Sequence, residues 1–136
     1  ISILIVDVDY FKKYNDNYGH PEGDRCLTLL GNSLRESLTR NNQLVARYGG
    51  EEFALILPDA DIQEAIRLAQ TIIRNVFSLH IEHAFSPFGR VTVSVGVSTA
   101  RAVDIAGSQQ NIIIAADQAL YQAKRAGRNR YAFIAV

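Results

Sequence analysis

At 136 residues, with 48% apolar content and three prolines, the chain has the size and composition of one folded domain rather than a disordered segment. Fourteen Lys and Arg balance fourteen Asp and Glu, so the basic excess of a general nucleic-acid binder is absent. The single cysteine, Cys26, excludes an internal disulfide and fits a reducing compartment, and no apolar run approaches the ~18 residues of a membrane span.

Ser2 to Val8 is an apolar run rich in Ile and Val, predicting a central strand covered on both faces. It ends in Asp7-Val8-Asp9. An acid at the mouth of a buried strand needs a partner, solvent or a metal. Asp9 fits a helix cap, and Asp7 a metal ligand. Tyr10–Tyr18 reads as a short helix stopped by Gly19, and Gly19–Gly23 as a turn. A second helix is predicted from about Glu22 to Thr39, with a stripe of Leu27, Leu30, Leu34 and Leu38. Cys26 lies in this leucine-rich pattern and reads as a core thiol.

Leu44–Ala46 and Phe53–Leu57 read as two strands of a hairpin whose tip is Gly49-Gly50. The glycines offer positive φ angles for the turn, and they also let another molecule approach the backbone. Glu51 and Glu52 follow at once. Bare backbone beside paired acids suits a nucleotide with its metal ions, although Gly-Gly is also ordinary turn chemistry. Asp61 with Glu64 makes a capping box for a third helix, Asp61–Phe77. His83–Phe85 and Val91–Thr99 are read as a second hairpin joined by Ser86–Gly89, with Val91, Val93, Val95 and Val97 on one face. Ala102–Gly107 reads as a loop. A fourth helix is expected over Ser108–Ala126, with Ile113, Ala116, Leu120 and Ala123 inward and Gly127 as its C-cap. Tyr131–Val136 is a last strand. The predicted order is β-α-α-β-β-α-β-β-α-β, an α/β (α+β) domain with a mixed, largely antiparallel sheet and helices on its faces.

If the first strand and the hairpin are neighbours, Asp7 and Glu51 share one or two magnesium ions, which favour few, hard oxygen ligands. Lys124 and Arg128 near the end of the fourth helix fit either phosphate binding or simple dipole complementarity. Lys12 carries the same two readings. Asn15 and Asp24 by themselves read as helix and turn polarity. His20, His80 and His83 lack ligand spacing.

Five blocks resemble one family in the same order: Asp7–Asp16, Gly19–Asp24, Arg47–Phe53, Val93–Ser98 and Ala116–Asn129. The third, Arg-Tyr-Gly-Gly-Glu-Glu-Phe, resembles the signature of the GGDEF domain, the diguanylate cyclase family, in its GGEEF form. The resemblance covers nearly the whole chain and implies a nucleotidyl cyclase or polymerase-palm type of fold. It implies that Asp7 and Glu51, with the Val8 carbonyl, bind magnesium or manganese, and that Glu52 assists catalysis. It implies that Gly49 and Gly50 lie against the nucleotide, that Asn15 and Asp24 read guanine, and that Phe11, Lys12, Lys124 and Arg128 hold phosphates. The implied reaction joins two GTP into cyclic di-GMP across a homodimer, releasing two pyrophosphates, with no nucleic-acid partner.

The family's product-binding Arg-x-x-Asp is here Arg40-Asn41-Asn42-Gln43, so weak product inhibition is expected. The competing reading is a catalytically silent module that binds GTP or cyclic di-GMP. The family's usual opening helix is not seen, and the chain has no methionine. We therefore expect a piece of a longer protein, with a sensor or dimerisation region upstream. The domain itself is expected in the cytoplasm, with room for a membrane anchor in the parent chain.

Overall fold

The computed structural model describes residues 1–101 and 109–136. Among the described residues, the elements are β1 (Ser2–Val8), α1 (Phe11–Tyr18), α2 (His20–Ser37), β2 (Leu44–Arg47), β3 (Glu52–Leu57), α3 (Ile62–Ser78), β4 (Val93–Thr99), α4 (Gln109–Arg125) and β5 (Tyr131–Ala135). One sheet runs in the order β2-β3-β1-β4-β5. β1 is antiparallel to both β3 and β4, β2 is antiparallel to β3, and only β5 runs parallel to its neighbour, β4. The expected mixed, largely antiparallel α/β architecture is the observed one.

Every residue of β1 is buried, as a run apolar on both faces requires. Strand parity divides its side chains between two cores. Leu4, Val6 and Val8 join Leu27, Leu30 and Leu34 of α2 and Ala65, Ala69, Ile72 and Val76 of α3 in one cluster. Ile3 and Ile5 pack instead with Ile112, Ala116 and Leu120 of α4 in a second. Helices α1, α2 and α3 therefore cover one face of the sheet, and α4 covers the other. Each buried aliphatic side chain contributes about 1.5–3 kcal/mol relative to exposure.

Several expectations are corrected. The second hairpin does not form. Residues 83–89 are turns, closed by His83 N–H to the Gly89 carbonyl at 3.2 Å and Ser86 N–H to the His83 carbonyl at 3.1 Å, with one isolated bridge between Glu82 and Arg90. β4 is already paired on both sides, so it has no edge to offer. The His83 ring is drawn toward α1 instead, edge-on to Tyr14. The predicted turn at Gly19–Gly23 is largely the first turn of α2. Pro21 fits there because its missing N–H would have no partner in that turn. On α4 it is Ile112, not Ile113, that is buried. Three consecutive isoleucines give periodicity no means of choosing between them. Asp61 caps α3 as expected, accepting from Glu64 N–H at 2.8 Å. The predicted loop Ala102–Gly107 and the predicted start of α4 at Ser108 lie outside the described residues. No helix among the described residues is long and apolar enough to cross a membrane.

Cys26 is 2% exposed, and burial pushes its thiol up to about 12. The thiolate is the reactive species, so the folded chain should resist a disulfide-exchange reagent at neutral pH. Release of one thiol equivalent only on adding denaturant is the expected absorbance result. Stoichiometric labelling of the native protein within minutes would contradict it.

Candidate active site

Parity also sets where the acids point. Asp7 follows Ile3 and Ile5 onto the α4 face, where it is 4% exposed. Its register partner on β3 is Glu52, and on β4 it is Ser94. Like charges directly opposed across a ladder repel. Lys124 of α4 answers them, with Nζ 3.0 Å from Asp7 Oδ2. Glu51 sits just before β3, where its carbonyl accepts from Val8 N–H at 3.2 Å and ties the hairpin mouth to the end of β1.

The electrostatics record the crowding. Burial raises the pKa of Glu51, the Asp7 charge raises it further, and Lys124 partly offsets both. Glu52 is raised by burial, then by the Asp7 charge and a hydrogen bond shared with Asp7; Lys124 lowers it and Asp117 raises it. Three carboxylates with one cation leave uncompensated negative charge.

The hairpin tip departs from expectation. Neither Gly49 nor Gly50 occupies the left-handed region. Tyr48 and Gly49 N–H both reach the Glu52 carbonyl, at 2.8 and 3.3 Å, and Arg47 donates to the Gly50 carbonyl at 2.7 Å. A Cβ on Gly50 would meet nothing within 4 Å. Backbone conformation therefore does not require glycine here. What the pair provides is an uncovered main chain beside the acids.

A second group lies around the start of α1. Tyr10 has φ 55°, so the helix begins one residue later than predicted, with Tyr10 as its N-cap. Phe11 is buried, which leaves only its backbone N–H for an anion, while Lys12 is exposed and paired with Asp16 at 3.0 Å. The first amides of a helix are free donors. The Arg128 guanidinium stacks 4.8 Å from the centre of the Tyr10 ring. Gly127 ends α4 as predicted: its own N–H reaches the Lys124 carbonyl at 3.3 Å, and Arg128 N–H reaches the Ala123 carbonyl at 3.1 Å.

Asp9 does not cap α1, because no side chain caps that helix. Being odd-numbered, it too faces α4's side. There it accepts from Thr92 Oγ1 at 2.7 Å, Ser94 Oγ at 2.6 Å and Asn129 N–H at 3.0 Å. Burial raises its pKa against those three hydrogen bonds, which lower it.

Asn15 projects toward α2. Its Oδ1 is buried without a partner, and a Cβ on Gly23 would fall on that atom. Gly23 thus makes room for a buried acceptor that has no partner among the described residues. Asp24 is exposed on α2. Arg40 and Gln43 are not part of this assembly. They line a separate cavity of about 310 Å³ with Leu57 and Glu64. Leu57 lies at the far end of β3 from Glu52. Gln43 is buried, and its Oε1 accepts from Thr39 N–H at 2.9 Å and Arg40 N–H at 3.2 Å. Arg40 is paired with Glu64 at 2.7 Å.

The fold thus brings Asp7, Glu51, Glu52 and Lys124 together. It places Tyr10 and Arg128 beside them and leaves Arg40 and Gln43 apart. Sequence reasoning missed Asp117, whose charge reaches Glu52. Its spacing of seven from Lys124, two turns along one helix face, was the available signal. Among the described residues no three His, Cys, Asp or Glu side chains form a ready metal cage. The donor chemistry nonetheless fits a hard divalent cation: carboxylate oxygens in excess, with the Lys124 ammonium already on Asp7.

This arrangement has counterparts. The family model described as diguanylate cyclase, GGDEF domain, matches residues 1–130, and the chain belongs to that family. It is 43% identical over 129 residues to diguanylate cyclase DgcM of Escherichia coli, covering 95% of this chain and 30% of that protein. It is similar in structure to the GGDEF domain of DgcB from Caulobacter crescentus, solved in complex with c-di-GMP, at TM-score 0.83 and 31% identity, covering 98% of this chain and 76% of that one. The active GGEEF domain of a Vibrio cholerae diguanylate cyclase gives TM-score 0.79 at 34% identity, covering 97% of this chain and 81% of that one. The chain spans about a third of the length of the curated relatives it matches.

Proposed function

We propose that this domain condenses two GTP into cyclic di-GMP with release of two pyrophosphates. The observation that carries the reading is the gathering of Asp7, Glu51 and Glu52 with Lys124 beneath the bare Gly49-Gly50 backbone. Asp7 and Glu51, with the Val8 carbonyl, would hold magnesium or manganese. The metal, when bound, neutralises phosphate charge and supports a deprotonated hydroxyl.

The chain's own residues do the rest. Gly49 and Gly50 admit the nucleotide against the hairpin. The Phe11 and Lys12 amides at the start of α1, with Lys124 and Arg128, hold the terminal phosphates. Asn15, through its side-chain amide, and the Asp24 carboxylate read the guanine edge. Adenine would leave them unsatisfied, which is a strong form of discrimination. Glu52, whose pKa is raised, accepts the proton of the attacking 3′-hydroxyl. The new bond joins that oxygen to the α-phosphorus of the other nucleotide, and the bond to pyrophosphate breaks. One domain has one such site, so two must face each other as a homodimer, and catalysis is largely positioning. Control falls to whatever sets that pairing, a sensor or dimerisation region in the parent chain. A cytoplasmic location for the domain fits GTP as its substrate.

The test is product analysis with GTP and magnesium on the domain fused to a dimerising coiled coil. Cyclic di-GMP is expected; intact GTP binding without any product would overturn the reading.

Feedback through Arg40 and Gln43 should be weak. Gln43 spends its oxygen on the loop that it closes, and Arg40 is held by Glu64. Gln43 also lacks the charge that would fix an arginine and a guanine edge. Calorimetric titration should show tight product binding after Gln43→Asp and little before. Tight binding at Arg40 in the unmodified domain would refute this.

A further inference from the structure

We infer that Asp9 is a positioning residue for the phosphate-binding Arg128, acting through the turn that follows α4. The inference rests on reading Arg128 and Lys124 as phosphate ligands. Asp9 is 2% exposed and makes no ion pair among the described residues. Its carboxylate is satisfied by the hydroxyls of Ser94 in β4 and of Thr92 just before it, and by one backbone amide, Asn129 N–H, far away in sequence.

That amide belongs to an unusual turn. Gly127, Arg128 and Asn129 have φ of 129°, 64° and 51°, three successive residues on the positive side. Glycine adopts this freely and asparagine readily, but for arginine it is costly. The conformation persists only where surrounding bonds impose it. The Schellman bonds to Ala123 and Lys124 hold it from the helix side. Asp9 holds it from the sheet side, and the Arg130 carbonyl then enters the ladder by accepting from Val95 N–H at 2.9 Å. Arg128 emerges over the ring of Tyr10, the residue next to Asp9. The end of β1 thus fixes both the acids and the cations: Asp7 directly through Lys124, and Arg128 indirectly through Asp9 and Asn129.

The test compares GTP and GMP binding to Asp9→Ala, Arg128→Ala and the double variant. Losing one charged phosphate contact corresponds to about tenfold in the GTP dissociation constant. Asp9→Ala should show that loss for GTP with GMP within about twofold, Arg128→Ala the same, and the double variant no more than either. Asp9→Asn keeps an acceptor for Asn129 N–H and should restore most of the affinity. Should Asp9→Ala fail to fold, Asp9→Ser carries the same expectation, since its hydroxyl can bond β4 but is too short to reach Asn129. Equal losses of GTP and GMP, or additive losses in the double variant, would overturn the role of Asp9 alone. Unchanged GTP binding by Arg128→Ala would overturn the phosphate-site reading and the inference with it.

Discussion

Glu51→Gln is expected to cut cyclic di-GMP formation by about a thousandfold or more while leaving the fold intact. On the proposed metal-binding role, replacing this carboxylate by an amide removes transition-state charge stabilisation, and a loss of about 4 kcal/mol is of that order. The change is nearly isosteric, and Glu51 stands outside the β3 ladder, so packing is undisturbed. The second half of the expectation concerns stability. The raised pKa of Glu51 means that its ionised form is disfavoured in the metal-free fold, by burial first and by Asp7 second. Glutamine relieves that repulsion, so the melting temperature without metal should hold or rise by about a degree. Activity lost together with stability would instead mark Glu51 as a structural residue. Full product formation by the variant would remove it from the site. Both readouts come from one preparation of the coiled-coil fusion, by chromatography of the product and by thermal melting.

Gly96→Ala is expected to be the most damaging of the Gly→Ala changes among the described residues. A Cβ at Gly96 would collide with the Ala116 carbonyl oxygen and with Leu120 N, both backbone atoms of α4. Backbone cannot step aside as a flexible side chain can, so α4 must lift from β4. Lifting it opens the cluster of Ile3, Ile5, Ile112, Ala116 and Leu120. It also withdraws Lys124 from Asp7. Overpacking typically costs 1–3 kcal/mol, and a rigid clash belongs at about 3 kcal/mol or above. A fall in melting temperature of roughly 10 °C is the corresponding shift for a domain of this size. Denaturant unfolding should show a lower midpoint at an unchanged slope. A midpoint within experimental error of the parent would mean that α4 does not seat on Gly96 as closely as the structure has it.

Much of the site was legible because its residues sit where local rules operate. Asp7 and Asp9 end a strand apolar on both faces, and Glu51 and Glu52 follow a Gly-Gly tip. Lys124 and Arg128 flank a Gly127 cap that behaves as its sequence says. Where local rules offered two equal answers, the sequence was silent or misleading. Asp9 looked like a helix cap because aspartate after a strand usually is one. It became a sheet-to-turn latch because β4 and the residue before it brought Ser94 and Thr92 to the same face. The face of β4 opposite its valines is buried and used: Ser94 for Asp9, Gly96 for α4. Residues 83–89 looked like a strand and turn, yet both edges of β4 were taken.

By itself the sequence determined most of the element types, the two-faced burial of β1, the hairpin with its acids, the capped start of α3 and the glycine that ends α4. These follow from periodicity, capping and turn chemistry, all of which act over a few residues. Only the tertiary structure decided which acids meet. Strand order and register are long-range: β1 had to lie between β3 and β4 before Asp7 faced Glu52 on one side and Ser94 on the other. Then α4 had to close on Gly96 before a lysine more than a hundred residues away could reach Asp7. Charge and burial at the site are properties of that assembly, and no stretch of sequence read alone contains them.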